Sequence, residues 1–275
     1  MPQVVDGGGR APWLHAHKLQ LSVRLLLLLL LLLLCPGTAE LESKGELPAF
    51  GPDAPPVFLN IGGVEANASA GSTLSWLNVN AQNASGHTDI IREMHDLHGF
   101  PNDSVSCIYA SHILEHAEDE ATVPVLQEWL RVLRPGGLLL VSVPDFELLA
   151  REYLRSDITE KARRWLLKVI FGGGIDHYDH HRTGFSQDSL SAALIQAGFV
   201  RPHRVGLMRF FHNDMSTVAF GNKLVSINMA ANKLSDGSAV FVNHDAEEYL
   251  PDEPVRFTDN GTEVPVGDIF PGFFL

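Results

Sequence analysis

The sequence predicts an α/β domain: a mostly parallel seven-stranded sheet with helices on both faces and an antiparallel terminal hairpin. Three observations predict it. The apolar run Val105-Ser-Cys-Ile-Tyr-Ala110 reads as a buried strand and delivers a polar run, Ser111-His-Ile-Leu-Glu-His116, at its carboxyl end. Further on, an amphipathic helix gives way at Arg131-Val-Leu-Arg-Pro-Gly-Gly137 to a second apolar run over 138–143, the strand–helix–strand crossover of a parallel sheet. Upstream, Leu59-Asn-Ile-Gly-Gly63 ends a strand in a glycine pair, and glycine lets a backbone turn sharply and approach a ligand closely.

In chain order, residues 57–61 form the first strand and the small, polar residues 64–73 a loop. Residues 74–80 form the second strand, with Trp76 and Leu77 ahead of Val79-Asn80, and 88–91 a short third, leading into Met94-His-Asp-Leu97. Residues 105–110 are the fourth. The next helix places Leu126, Trp129, Leu130 and Leu133 on one face, and Pro135-Gly-Gly137 stops it. The fifth strand ends at Pro144-Asp145, followed by helices over 147–154 and 160–171 and a Gly- and His-rich loop over 172–184. Ser186 is the N-cap of a helix through Ala197, with Gly198 as its C-cap. Residues 201–211 and 216–230 alternate as the strands of the terminal hairpin.

Composition divides the chain into four parts. Residues 1–39 carry Arg10, Lys18 and Arg24 ahead of the leucine run 25–34, then Cys-Pro-Gly-Thr-Ala39. That is a secretory signal cut after Ala39 or, if residues 19–23 lengthen the apolar segment, an uncleaved type II membrane anchor. Residues 40–56 are a linker, 57–233 the folded domain, and 234–275 an acidic, loosely ordered tail. The tail holds much of the net charge of −13, and no basic stripe suggests nucleic-acid binding. A secretory location, lumenal, secreted or membrane-anchored, fits sequons at Asn67, Asn83, Asn102 and Asn260. Loss of Cys35 with a signal would leave Cys107 alone, so the mature chain holds no internal disulfide.

The motifs Leu59-Asn-Ile-Gly-Gly63, Ser75-Trp-Leu-Asn-Val-Asn80, Ser111-His-Ile-Leu-Glu-His116, Arg131-Val-Leu-Arg-Pro-Gly-Gly137 and Gly173-Gly-Ile-Asp-His-Tyr-Asp-His-His-Arg-Thr-Gly-Phe185 together resemble class I, S-adenosylmethionine-dependent methyltransferases. The resemblance is to the type 11-like subgroup and covers residues 57–233. It implies a Rossmann-like fold, S-adenosylmethionine as cofactor, and methyl transfer to a small-molecule, lipid or sugar (glycan) acceptor. It also implies cofactor contacts from Asn60, Gly62, Gly63, Asn80, Asp96 and Ser111. By the resemblance, Asn80 faces the ribose, Asp96 the adenine, and Ser111 and His112 the methyl group.

Two positions depart from the pattern. Val64 stands where a loop glycine is usual, and Asn80 where an acid accepts from both ribose hydroxyls. An amide lacks two equivalent charged acceptors, which weakens such a clamp by about 1–2 kcal/mol. The alternative is a methyltransferase-like binding or scaffold protein of the secretory pathway without turnover. For proton removal the candidates are His112, His180 and His181, since imidazole titrates near neutrality. Asp176, His177, His180 and His181 crowd one loop but follow no ligand-spacing template, so no metal site is expected there.

Overall fold

The computed structural model describes residues 47–51, 53–63, 76–82, 87–208, 210–211 and 214–235, and the backbone of Arg256–Phe257. The leader, linker residues 40–46 and 52, the segment 64–75 with Val64, the sequons Asn67, Asn83 and Asn260, and the tail apart from residues 234–235 and 256–257 lie outside the described residues. Five parallel strands form first: β1 (Val57–Ile61), β2 (Trp76–Asn80), β3 (Ile90–Ile91), β4 (Val105–Ser111) and β5 (Leu133–Pro144). Then come β6 (Val200–Arg204), the short pair β7 (Ala219–Phe220) and β8 (Lys223–Leu224), and β9 (Ser226–Asn232). The main sheet runs β3-β2-β1-β4-β5-β9-β6, with β9 antiparallel to both neighbours. A separate small sheet joins β7 and β8 to β10 (Arg256–Phe257).

Among the described residues, four α-helices connect these strands: α1 (Asp119–Val132), α2 (Phe146–Tyr153), α3 (Glu160–Phe171) and α4 (Gln187–Ala197). Three start on side-chain caps. Asp145 accepts from the Leu148 amide, Thr159 from that of Ala162, and Ser186 shares a capping box with Ser189. Gly198, at φ 107°, closes α4 in the left-handed region that glycine tolerates.

One sheet face is apolar. Leu59, Val79, Ile108, Val141 and Met229 pack there against Leu126 and Trp129 of α1 and Leu190 and Leu194 of α4. Trp129 also donates its indole N–H to the Met94 carbonyl at 2.8 Å. Arg131, from the motif that ends α1, binds Glu128 and the carbonyls of Leu97 and Phe100, fastening the β3–β4 connection. Its Nη1 also donates to Asn102, the exposed sequon residue. A second cluster joins Leu149, Trp165, Leu166 and Val169 of α2 and α3 to Phe220 and Val225.

The structure departs from the expected elements in three places, one of them the strand expected over 216–230, which is divided into a 3-10 turn at Met215–Thr217, β7 and β8 of the small sheet, and β9. Strand β5 starts at Leu133, ahead of the Pro-Gly-Gly turn, because Leu133 already pairs with Val105. Beyond it, just past the end of β9, Lys233 accepts from the Gly136 amide and donates its own amide to the Gly137 carbonyl. The hairpin strand expected over 201–211 stops at Arg204. Pro202 removes a ladder donor from an edge strand that is already bulged between Val200 and His203. The chain then leaves the edge, and Phe210 and Phe211 pack on Trp76 and Tyr109 with ring centroids 5.3–5.7 Å apart. No helix among the described residues is long and apolar enough to cross a membrane.

Candidate active site

The strand order reverses at β1, which pairs with β2 on one side and β4 on the other. In open α/β sheets ligands bind at such a switch point, beyond the strand carboxyl ends. The glycine pair sits there. Gly62 takes φ +79° and donates its amide to the Val79 carbonyl at 2.8 Å. Beneath Gly63 lies a buried amide pair, with Asn60 donating to Asn78 at 2.9 Å across paired positions of β1 and β2. A Cβ on Gly63 would lie 1.9 Å from the Asn60 amide nitrogen, so no other residue fits without displacing that pair.

Asn80 closes the other side of the turn. Its Nδ2 donates to the carbonyls of Gly62 (3.3 Å) and Gly63 (3.4 Å), and its Oδ1 accepts from the Gln82 amide at 3.3 Å. A carboxylate could make neither of the first two bonds. The amide at this position thus ties the glycine turn to β2, a role the motif comparison did not foresee.

At the end of β4 the chemistry is ionisable and buried. Asp214 accepts the Tyr109 hydroxyl at 2.5 Å, the Ser111 hydroxyl at 3.2 Å, and the backbone amides of Ser216 and Phe210. Burial raises its pKa above the usual carboxylate range, and that of Tyr109 rises well above the usual phenol value for the same reason. Nothing local in the sequence marks Asp214, because its partners lie on β4 and only the fold brings them together.

One step further, His112 adopts φ +52°, a conformation rare outside glycine, and is held there by its amide bond to the Ser142 carbonyl and its Nε2 contact with Ser226 Oγ at 2.7 Å. Glu115 follows on a short 3-10 turn, Leu114–His116, and is fully buried. Neither carboxyl oxygen has a hydrogen-bond partner among the described residues. His112 Nδ1 and His181 Nε2 nonetheless lie 3.3 and 3.8 Å from Oε1. Burial pushes Glu115 up to about 8 and His181 down to about 4, and it lowers His112 well below the ordinary imidazole value. His116 completes the group, its ring set edge-on to that of His181 at 4.8 Å.

The segment 172–184 lies over this end of the sheet. Its far end is pinned to Glu115, whose carbonyl accepts from the amides of Arg182 and Thr183. Its near part reaches the β2 and β3 ends, where Gln82 donates to Asp176 at 3.0 Å and Tyr178 to Glu93 at 3.4 Å.

The candidate residues therefore fall into five places. Asn60, Gly62, Gly63 and Asn80 meet at the glycine turn. Ser111 commits its hydroxyl to Asp214. His112 and His181 meet at Glu115, whereas His180 is exposed on the covering segment. Asp96 is also exposed, its carboxylate taken by His98 at 2.9 Å, and it lies within electrostatic reach of Glu128 and Arg131 near the end of α1. Gln82, Asp214 and the carboxyl group of Glu115 are site features that motif reading passed over.

Residues 67–141 match the methyltransferase domain family. Over 123 residues the chain is 28% identical to an uncharacterized 37.1 kDa protein in transposon TN4556 of Streptomyces fradiae, covering 44% of this chain. The match spans only about a third (32%) of that relative's length. Among solved structures, a SAM-dependent methyltransferase from Archaeoglobus fulgidus shares 12% identity over 65% of this chain and 86% of its own, with a TM-score of 0.41. The 1,6-didemethyltoxoflavin-N1-methyltransferase of Burkholderia thailandensis, with its substrate and S-adenosylhomocysteine bound, shares 14% over 66% and 72%, with a TM-score of 0.37. In its motifs and over residues 67–141 the chain is similar to methyltransferase domains, and its seven-stranded β3-β2-β1-β4-β5-β9-β6 sheet is the mostly parallel one that this similarity implies.

Proposed function

We propose that this chain binds S-adenosylmethionine at the Gly62–Gly63 turn and methylates a small-molecule, lipid or sugar acceptor beneath segment 172–184. The observation that carries this is the glycine turn at the sheet's switch point, seated on the Asn60–Asn78 pair so that only glycine fits at position 63. When bound, the cofactor supplies a sulfonium methyl group open to displacement by a nucleophile. The chain's own part is to bind, orient and exclude water. Gly62 and Gly63 would let the cofactor lie against the backbone, and Asn80 would offer its amide to the ribose. Gln82–Asp176 and Tyr178–Glu93 would hold the covering segment down. His180, exposed on that segment, is the accessible base for an acceptor hydroxyl, whereas His112 and His181 serve only a group that reaches Glu115.

Entry into the secretory route through residues 1–39, by cleavage or as an anchor, belongs to the same proposal and rests on the leucine run and the small residues before Glu40. A specific observation favours the alternative of a binding or scaffold protein without turnover: the Asn80 amide is already bound to the Gly62 and Gly63 carbonyls. Incubating the full chain with methyl-labelled cofactor and extracts fractionated into small metabolites, lipids and glycans separates the two. Label in one fraction, reduced about 10²-fold by His180→Ala, supports the enzyme. Retention of cofactor with no transfer to any fraction supports the binding protein.

A further inference from the structure

The group at Glu115 has the layout of a metal centre, and it belongs neither to the glycine turn nor to the base assigned above. One ligand atom each from Glu115, His116 and His181 lie within 4.8 Å of one another. His112 adds a fourth donor, its Nδ1 at 3.3 Å from Glu115 Oε1. Tetrahedral zinc with bonds of about 2.0–2.1 Å holds neighbouring ligand atoms about 3.3 Å apart. The His112–Glu115 and His181–Glu115 separations of 3.3 and 3.8 Å bracket that spacing from its lower limit upward.

Two further features point the same way. Each histidine already commits one ring nitrogen to an outer partner. His112 Nε2 meets Ser226 Oγ, His116 Nδ1 the His180 carbonyl at 3.1 Å, and His181 Nδ1 the Ile170 carbonyl at 3.2 Å. Metal-bound histidines carry this kind of outer bond, which fixes the tautomer and aims the second nitrogen inward. At the centre, Glu115 is wholly buried, and neither oxygen has a hydrogen-bond partner among the described residues. An unpaired buried carboxyl group is destabilising, and a cation removes the deficit.

We propose that Glu115, His116 and His181, with His112 as fourth ligand, bind a divalent transition-metal ion of the zinc type. Three imidazoles and one carboxylate suit zinc by ligand softness and number. Bound there, the ion joins the end of β4 to His181 and so fastens segment 172–184 over the site. Access is from the His116 side, where the ring is only partly buried. The proposal does not require cofactor binding, and its test reads metal alone.

Untagged full-length protein, stripped with a chelator, is titrated with Zn²⁺ by calorimetry and with Co²⁺ by visible absorption. The expected result is one saturable equivalent, the intense visible bands of tetrahedral cobalt, and protection of segment 172–184 from proteolysis by zinc. Glu115→Gln and His116→Ala weaken binding more than about 10-fold. His177→Ala, whose exposed ring packs on Tyr178, leaves binding unchanged. No saturable binding, or binding indifferent to Glu115→Gln and His116→Ala, overturns the proposal. If those variants fail to fold, the wild-type cobalt spectrum decides, and a weak octahedral spectrum overturns it.

Discussion

At the end of β2, the side chain that meets the glycine turn is a neutral amide, Asn80, held by bonds of 3.3 and 3.4 Å. At the end of β4, on the other side of β1, the side chains are Glu115, His112 and Asp214, all buried and all with pKa values displaced by that burial. The first region relies on backbone shape, and the second on ionisable groups taken out of water. Backbone shape fails by steric exclusion, so position 63 tolerates no side chain while position 80 tolerates modest change. Buried ionisable groups fail by losing a partner, which costs stability wherever it happens.

Gly63→Ala should have the largest effect. The new Cβ displaces the Asn60–Asn78 pair, at a cost of about 3 kcal/mol and a Tm lower by roughly 6–12 °C. A wild-type melt for this variant would mean that the turn is not seated on that pair. Asp214→Asn comes next. Its Nδ2 must face one of the donors that the carboxylate now accepts, at about 2 kcal/mol, and denaturant unfolding should register the loss. If stability is unchanged, the bonds from Tyr109 and Ser111 carry no net energy.

The histidines sharpen the comparison at a smaller scale. His181→Ala removes a ring that is 10% exposed and should cost about 1–2 kcal/mol by thermal melting. His180→Ala should stay within about 0.5 kcal/mol of wild type and act on turnover alone. Equal melting shifts for the two would erase the distinction between a buried residue and a covering one. Asn80→Asp sets the two regions' rules against each other. The unliganded chain should lose about 1 kcal/mol as a carboxylate meets two carbonyls, while cofactor affinity rises severalfold through a charged double acceptor. Weaker binding would mean that the amide's tie to the turn matters more than the ribose contact.

Much of the fold was legible because its elements carry local signals. The α1 pattern, the Ser186 N-cap and the Gly198 cap each sit within a few residues of the element they define. The strand expected over 201–211 failed because alternation does not report the bulge at Pro202 or the aromatic residues' destination on Trp76 and Tyr109. At the site, the glycine turn and Asn80 were readable from motifs. The separation of His180 from His181 was not, since adjacent loop residues point wherever packing sends them. Asp214 and the orphaned carboxyl of Glu115 were equally hidden, because their environment is made by β4, β9 and segment 172–184 together. The contact of Asp96 with His98 belongs to a local turn, and a local turn was not read from the motif either.

The central claim is that the glycine turn at the switch point holds S-adenosylmethionine despite the neutral amide at position 80. Isothermal titration of the full chain with S-adenosylmethionine and S-adenosylhomocysteine tests it most directly. The account predicts one site for either ligand with a Kd near micromolar, about −8 kcal/mol. Absence of both binding heat and thermal stabilisation at millimolar ligand would contradict it.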